Sequence, residues 1–480
     1  MLPATSPESN PTSGGGRRSS GRWRVLGAAV GIGAILAIHV LGRVGSFCSP
    51  IRSDSYVFAS FGYRIAHGEV FYRDMSDAKP PGIFLLNAAV YRLADGGPLT
   101  LDRAKFCQGL TDGTSVKGGR AALIPIESLF MLLGYFAVYK VGADLYGRAV
   151  GLVLAVAGAL AVNFFLLADY AVEGFNLAEN YMVLTSAAAV WCYRRGYQAD
   201  RAGMFFLTGA LLGLGFVLKQ TVLPLVAAIV VHRTMWCLLQ GRRALDRRNV
   251  CQGRARTWGW SGLAMLGGAC AAVLPFVLLV VAQGTAGKAY AAITAQAATR
   301  LARATAWPGR WDDLVPLWVP MGWSVVGLIL WARSALSGEA AGKPPNALPD
   351  VRRPADDTSA YPAVVPGPAD VSLLLIWLAL ECVMLVYLPQ RAFHYYALSC
   401  LPVILCSGLI WVVLGENRRV IGRRRVRTAL AAVAIWSIAL ARPAIDVLVP
   451  TAIARYRWYD AATDRAYFDA ALKWGPRDLG

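Results

Sequence analysis

Long apolar runs alternate with short, Arg-rich polar connectors along most of the chain. The run from Trp258 to Ala282 holds no charged residue. At 1.5 Å per residue it is long enough to cross about 30 Å of hydrocarbon. Runs this long and this frequent do not fit the buried helices of a soluble domain. The pattern predicts an all-α polytopic membrane protein. Spans are expected near residues 25–42, 121–141, 149–168, 178–194, 203–217, 219–235, 259–282, 314–332, 371–388, 395–414 and 428–446. That is about 11 transmembrane helices, within a range of about 10–13.

The polar segments complete the layout. Residues 1–24, rich in Pro, Ser, Gly and Arg, read as a disordered cytoplasmic N-terminus. The run at 25–42 is long for a signal peptide and reads as an uncleaved first span, which opens a transmembrane domain over 25–446. Arg17, Arg18, Arg22 and Arg24 before it hold its start in the cytoplasm. Threading from there makes 43–120 a long first external loop, 338–370 a flexible cytoplasmic loop and 447–480 a short external tail. Within the first loop, Pro81 to Ala94 is apolar but too short to span, which predicts a helix lying along the interface. The spans at 203–217 and 219–235 straddle Lys219 and suggest a bent hairpin.

Composition changes the picture only by exclusion. Hydrophobic residues make up 56% of the 480 and charged residues 16%, where soluble domains run near 25% charged. The formal net charge of +19 invites a nucleic-acid reading. Its distribution argues against one, because Arg242-Arg243, Arg247-Arg248, Arg418-Arg419 and Arg423-Arg424-Arg425 sit in connectors between apolar runs. Such clusters are positive-inside anchors that meet anionic membrane lipids. The nine cysteines form no CxxC and no Cys/His metal spacing. Cys48 and Cys107 share the first loop, where an oxidising compartment leaves pairing open to them.

Candidate chemistry concentrates where charged side chains meet the outer edge of the predicted bundle, since burial there is costly without a purpose or a partner. Asp54, about a dozen residues past the first span, has the chemistry of a general base, although taken alone a solvated loop carboxylate is the better reading. Lys79 precedes Pro80-Pro81 and the interfacial helix, where helix dipole and ammonium together favour a phosphate. A snorkelling anchor is the plainer reading. Glu179 opens a span and is also placed to satisfy a helix N-terminus. His394 lies beside Tyr395 and Tyr396, which fit an aromatic belt. Lys219 is expected to snorkel or to pair with Glu173; Asp169 and Glu173 share one short loop and are weaker candidates for chemistry.

The run Asp54…Gly68-Glu69-Val70-Phe71-Tyr72-Arg73-Asp74…Asp77-Ala78-Lys79-Pro80-Pro81-Gly82 resembles the first external loop of the C-type, multi-spanning glycosyltransferases. It is most similar to the bacterial branch related to protein O-mannosyltransferases and to the lipid A aminoarabinose transferase. Glu179-Asn180, the glycine-rich helix from Gly209 to Lys219, and Arg391-Ala392-Phe393-His394-Tyr395-Tyr396 extend the likeness over about residues 25–415. The resemblance implies transfer of a sugar from a polyprenyl-phosphate donor to a lipid or glycan hydroxyl, in the cell membrane and on the periplasmic or exterior face. It implies Asp54 as catalytic base and Lys79, Arg391 and His394 around the donor phosphate. Glu179, Asp74, Asp77, Tyr72 and Tyr395 would line the acceptor or substrate side, with a divalent metal where one is used. Ser55 replaces the second acidic residue that relatives often carry, and no large soluble domain follows the last expected span. A small or lipid-borne acceptor is therefore expected. The rival class is a transporter or flippase, which predicts charges near the bilayer midplane and internal repeats. No repeat is visible.

Overall fold

A computed structural model describes residues 17–47, 53–94, 114–168, 176–245, 251–304, 322, 324–329, 332, 366–387 and 396–411. The named elements are helical: α1 (Arg17–Phe47), α2 (Ser53–Ala66), α3 (Gly82–Ala94), α4 (Thr114–Tyr146), α5 (Arg148–Ala168) and α6 (Ala178–Ala199). After these come α7 (Ala202–Leu218), a 3₁₀ turn (Gln220–Val222), α8 (Leu223–Leu245), α9 (Cys251–Ala282), α10 (Ala286–Ala304), α11 (Pro368–Tyr387) and α12 (Tyr396–Ser407). Among the described residues, five segments are long and apolar enough to cross a membrane: Val25–Arg43, Leu123–Tyr146, Gln220–Leu238, Gly259–Ala282 and Pro368–Leu385. Shorter apolar helices at Gly82–Leu93, Arg148–Asn163, Ala202–Leu218 and Ala397–Trp411 accompany them. The protein is an all-α, polytopic membrane protein. Most of the span expected at 314–332, and all of that at 428–446, lie outside the described residues.

The packing places α4 at the centre. It lies against α5 and α6 and also meets α3 and α1, while α1 packs mainly on α5. Helix α7 runs between α6 and α9, α8 packs on α11, and α12 closes against α5, α6 and α11. The outer face of α9 presents Leu263, Leu266, Leu274 and Leu278, each more than half exposed. An apolar surface of that extent is stable only against lipid tails.

The tightest crossing is between α7 and α9. A Cβ at Gly209 would stand 1.8 Å from the Met265 carbonyl oxygen, and one at Gly268 would stand 1.9 Å from that of Phe206. In lipid, where apolar helices gain little by hiding from their surroundings, such small-residue contacts let backbones approach and dispersion hold them. The glycines of α7 are thus the reason that its far end, with Lys219, is held in one place.

Four features differ from the sequence expectation. Helix α1 begins at Arg17, inside the segment whose composition suggested disorder over 1–24. The apolar run that follows supplies the lateral support that an isolated polar segment lacks. Asp54 lies in a helix, α2, rather than in a loop. Helix α10 follows the turn at Gly284 (φ 67) and is rich in Ala with scattered cations, so no long apolar run announced it. Helix α11 opens at Pro368, within the loop expected over 338–370, because Asp370 in its first turn is bound by Arg194.

Candidate active site

The N-terminal half of the site is α2, α3 and the turn joining them. Helix α2 buries Phe58, Phe61 and Ile65, one stripe at helical spacing, against Phe71 and Phe84. Asp54 falls in its first turn, where the unsatisfied backbone N–H groups favour a carboxylate.

The turn that follows is held at many points. Arg64 Nε donates to Glu69 Oε2 (2.7 Å) and Nη2 donates to the Asp74 carbonyl (3.2 Å). The Tyr72 N–H donates to the Met75 carbonyl (2.7 Å), with Tyr72 itself at φ 66. A tyrosine in the left-handed region is strained and stays there only because its surroundings over-determine it. Its ring is buried and its hydroxyl donates to the Lys79 carbonyl (2.9 Å). Burial, and then the charge of Asp77, push the Tyr72 phenol above its ordinary range, so it remains a neutral donor. The Asp74 carboxyl accepts from the Val70 N–H (2.7 Å) and from Arg73. Arg73 first, and then that backbone bond, hold it below the usual carboxylate range. Tyr72 and Asp74, expected on the substrate side, thus spend their polar groups on shaping the turn.

These braces converge on Lys79. Its Nζ lies 3.2 Å from Asp54 Oδ1, 3.4 Å from Asp77 Oδ2 and 5.0 Å from the centroid of the Phe58 ring. The Lys79 N–H donates to Asp77 Oδ1 (2.9 Å). Side-chain exposure is 9% for Lys79 and 24% for Asp54, so the pair is held yet reachable. From the other side, Gln220 Nε2 donates to the Ala78 carbonyl (2.9 Å). Gly82 sits so close to α7 that a Cβ there would meet the Val217 carbonyl oxygen at 2.5 Å. The sequence placed Lys79 at the dipole of the interfacial helix. Helix α3 begins only at Gly82, beyond both prolines, and the ammonium turns to the two carboxylates instead.

Beneath this lies a second layer. Helix α7 ends at Leu218, and the extended backbone of Lys219 (φ −165) leads into the 3₁₀ turn. The break expected there is present, but α7 packs on α6 and α9 and α8 on α11, so the two do not form a hairpin. Lys219 Nζ pairs with Glu179, while Glu173, the partner expected from the sequence, lies outside the described residues. Side-chain exposure is 2% for Lys219 and 0% for Glu179. An ion inside the bundle needs a counter-ion, and each of these two supplies one for the other.

The sequence reading passed over a third group. Glu127 of α4, wholly buried, lies 3.1 Å from Arg43 Nη1 and accepts from the Asn176 N–H (2.9 Å) and from Asn180. The signal was available: Glu127 is an ionisable residue inside a run expected to span. Arg391 and His394, expected around the donor phosphate, and Tyr395, expected on the acceptor or substrate side, lie outside the described residues, as do Asp169, Cys48 and Cys107. Among the described residues, no group of three or more His, Cys, Asp or Glu side chains is placed to hold a metal ion. Glu179, the residue considered for that role, has Lys219 against its carboxylate.

Residues 113–252 match the family described as dolichyl-phosphate-mannose-protein mannosyltransferase. The matched segment takes in α4 to α8 and so includes Glu127, Glu179 and Lys219, while Asp54 and Lys79 precede it. Among solved structures, the crystal structure of ArnT from Cupriavidus metallidurans bound to undecaprenyl phosphate is similar at 14% identity and a TM-score of 0.43. The match covers 93% of this chain and 77% of that one. The oligosaccharyltransferase of Archaeoglobus fulgidus, crystallised with zinc and sulfate, is similar at 14% identity and a TM-score of 0.39, over 88% of this chain and 53% of that one. No curated protein matches the chain in sequence.

Proposed function

We propose that this protein is an inverting membrane glycosyltransferase that moves a hexosyl or pentosyl group from a polyprenyl-phosphate donor to a lipid or glycan hydroxyl on the external face of the cell membrane. The observation that carries the reading is the 3.2 Å approach of Lys79 Nζ to Asp54 Oδ1 at the edge of a membrane-embedded bundle. A cation suited to a phosphate and a carboxylate suited to a hydroxyl proton thereby share one reacting centre. The match of residues 113–252 to a mannosyltransferase family supports the same chemistry.

In the reaction, the acceptor oxygen attacks the anomeric carbon while the bond from that carbon to the phosphate oxygen breaks. The hydroxyl proton passes to Asp54, and the polyprenyl phosphate leaves with both electrons of the broken bond. The transition state is oxocarbenium-like. Lys79 moves from the two carboxylates to the phosphate, with Arg391 and His394 assisting, and offsets the charge that grows there. The same move frees Asp54 to accept a proton. Asp77 stays behind to orient the Lys79 backbone through its 2.9 Å bond. One displacement inverts the anomeric centre.

Protein in lipid nanodiscs, incubated with a panel of radiolabelled polyprenyl-phosphate sugars and a membrane lipid extract, tests this. Transfer of one sugar, lost in both Asp54→Asn and Lys79→Ala, is the expected result. An Asp54→Asn protein with near-normal turnover overturns the assignment of the base. Saturable binding of a lipid-linked glycan with no transfer of any sugar points to a flippase instead.

A further inference from the structure

We propose that Glu127 is a positioning residue for Asp54, acting through Asn176; the inference rests on the reading of Asp54 as the base. Asn176 sits just ahead of α6 in the left-handed region, at φ 54. A non-glycine residue holds that conformation only under constraint. Glu127 supplies the constraint, since its Oε1 accepts the Asn176 N–H at 2.9 Å. The same carboxylate binds the Asn180 side-chain amide one turn into α6. Arg43, at the end of α1, lies 3.1 Å from the other oxygen and compensates a charge that would otherwise be stranded in the bundle.

Held this way, the Asn176 side chain joins three helices. Its Nδ2 donates to Asn87 Oδ1 of α3 at 2.8 Å and to the Ser55 carbonyl of α2 at 3.4 Å. Its Oδ1 accepts from Asn87 Nδ2 (3.2 Å) and from the Tyr181 hydroxyl of α6 (3.2 Å). Asn87, Asn176, Glu127 and Ser55 are all fully buried. In a low-dielectric interior a polar network of this kind fixes geometry, because each alternative leaves a donor or acceptor bare. Ser55 is the neighbour of Asp54 in the first turn of α2. The bond to its carbonyl fixes the azimuth of that turn, and with it the direction from which Asp54 faces Lys79. Glu127 itself lies within the mannosyltransferase-family segment, while Asp54 precedes it. The contact therefore registers the N-terminal half of the site on that segment.

Wild type, Glu127→Ala, Asn176→Ala, the double variant and Asp54→Asn are compared in nanodiscs, with the polyprenyl-phosphate sugar that wild type consumes. Binding of undecaprenyl phosphate, a probe of the Lys79 side, is measured in parallel. Displacing a base by about 1 Å lowers turnover by about 10²-fold. The expected result is a loss of kcat of about 10- to 100-fold in both single variants, with donor KM and undecaprenyl phosphate binding within about threefold of wild type. The double variant should be no worse than either single, since both act along one path. Glu127→Gln, which keeps a carbonyl oxygen for the Asn176 N–H, should recover part of the kcat and covers the case in which Glu127→Ala fails to fold. Wild-type kcat in Glu127→Ala or Asn176→Ala, additive losses in the double, or a change confined to KM overturns the proposal while Asp54→Asn remains inactive. An active Asp54→Asn overturns the reading of the base and this inference with it.

Discussion

Exchanging the two members of the buried Lys219–Glu179 pair for methionine separates its structural role from any chemical one. Both side chains are at most 2% exposed and sit between α6 and the break after α7. Methionine is close in volume to each, so the exchange removes charge while leaving the packing nearly intact. Glu179→Met takes this carboxylate from the buried ammonium, and Lys219→Met takes this ammonium from the buried carboxylate. Breaking one side of a buried pair costs about 3–5 kcal/mol. Replacing both by apolar groups of similar size is often neutral or even stabilising, by about 1–4 kcal/mol. Unfolding in mixed micelles titrated with SDS should therefore show each single variant well below wild type and the double variant above both. A double variant that falls by the sum of the single losses refutes the argument, because the two charges would then not be compensating each other. The same proteins report on chemistry. Regained stability with regained transfer makes the pair a structural strut for the Lys79 turn, whereas regained stability without transfer places Glu179 against substrate.

Gly209→Val should separate α7 from α9, since even a Cβ stands 1.8 Å from the Met265 carbonyl oxygen. The same SDS titration should read a loss of at least about 1–3 kcal/mol, and donor KM should rise because Gln220 braces the Ala78 carbonyl from the end of α7. The turn over 68–77 should keep its order in mild acid. The folded state holds Asp74 below the usual carboxylate range of about 4. Its stabilising contribution is full above the unfolded pKa and is lost only as pH falls through the lower folded value. Amide exchange of these residues, corrected for intrinsic rate, should rise only below about pH 4; in Asp74→Asn the turn should already exchange faster at neutral pH.

The helix-forming runs were legible because lipid imposes a period and a length that composition cannot hide. Trp258 to Ala282 admits no other reading, and the break at Lys219 was visible as a cation between two apolar stretches. Asp54 and Lys79 stood out as chemistry-bearing types near a proline-fixed turn, and the fold brings them to 3.2 Å. Helix α2 was not legible, since its stripe of Phe58, Phe61 and Ile65 is too short to signal itself among polar neighbours.

Partner choice was decided only by the tertiary structure. The sequence offered Lys219 a snorkelling place or the Glu173 carboxylate, and the crossing of α6 with α7 sets Glu179 against it. Arg43, Glu127, Asn176, Asn87 and Ser55 lie far apart in sequence and carry no shared motif. They meet because α1, α2, α3, α4 and α6 converge at one end of the bundle. The sequence determined which segments enter the membrane and which side chains have the chemistry, because hydropathy and proton affinity belong to residues one at a time. Which charges neutralise one another, and which backbone an asparagine holds, are properties of pairs, and packing alone creates the pairs.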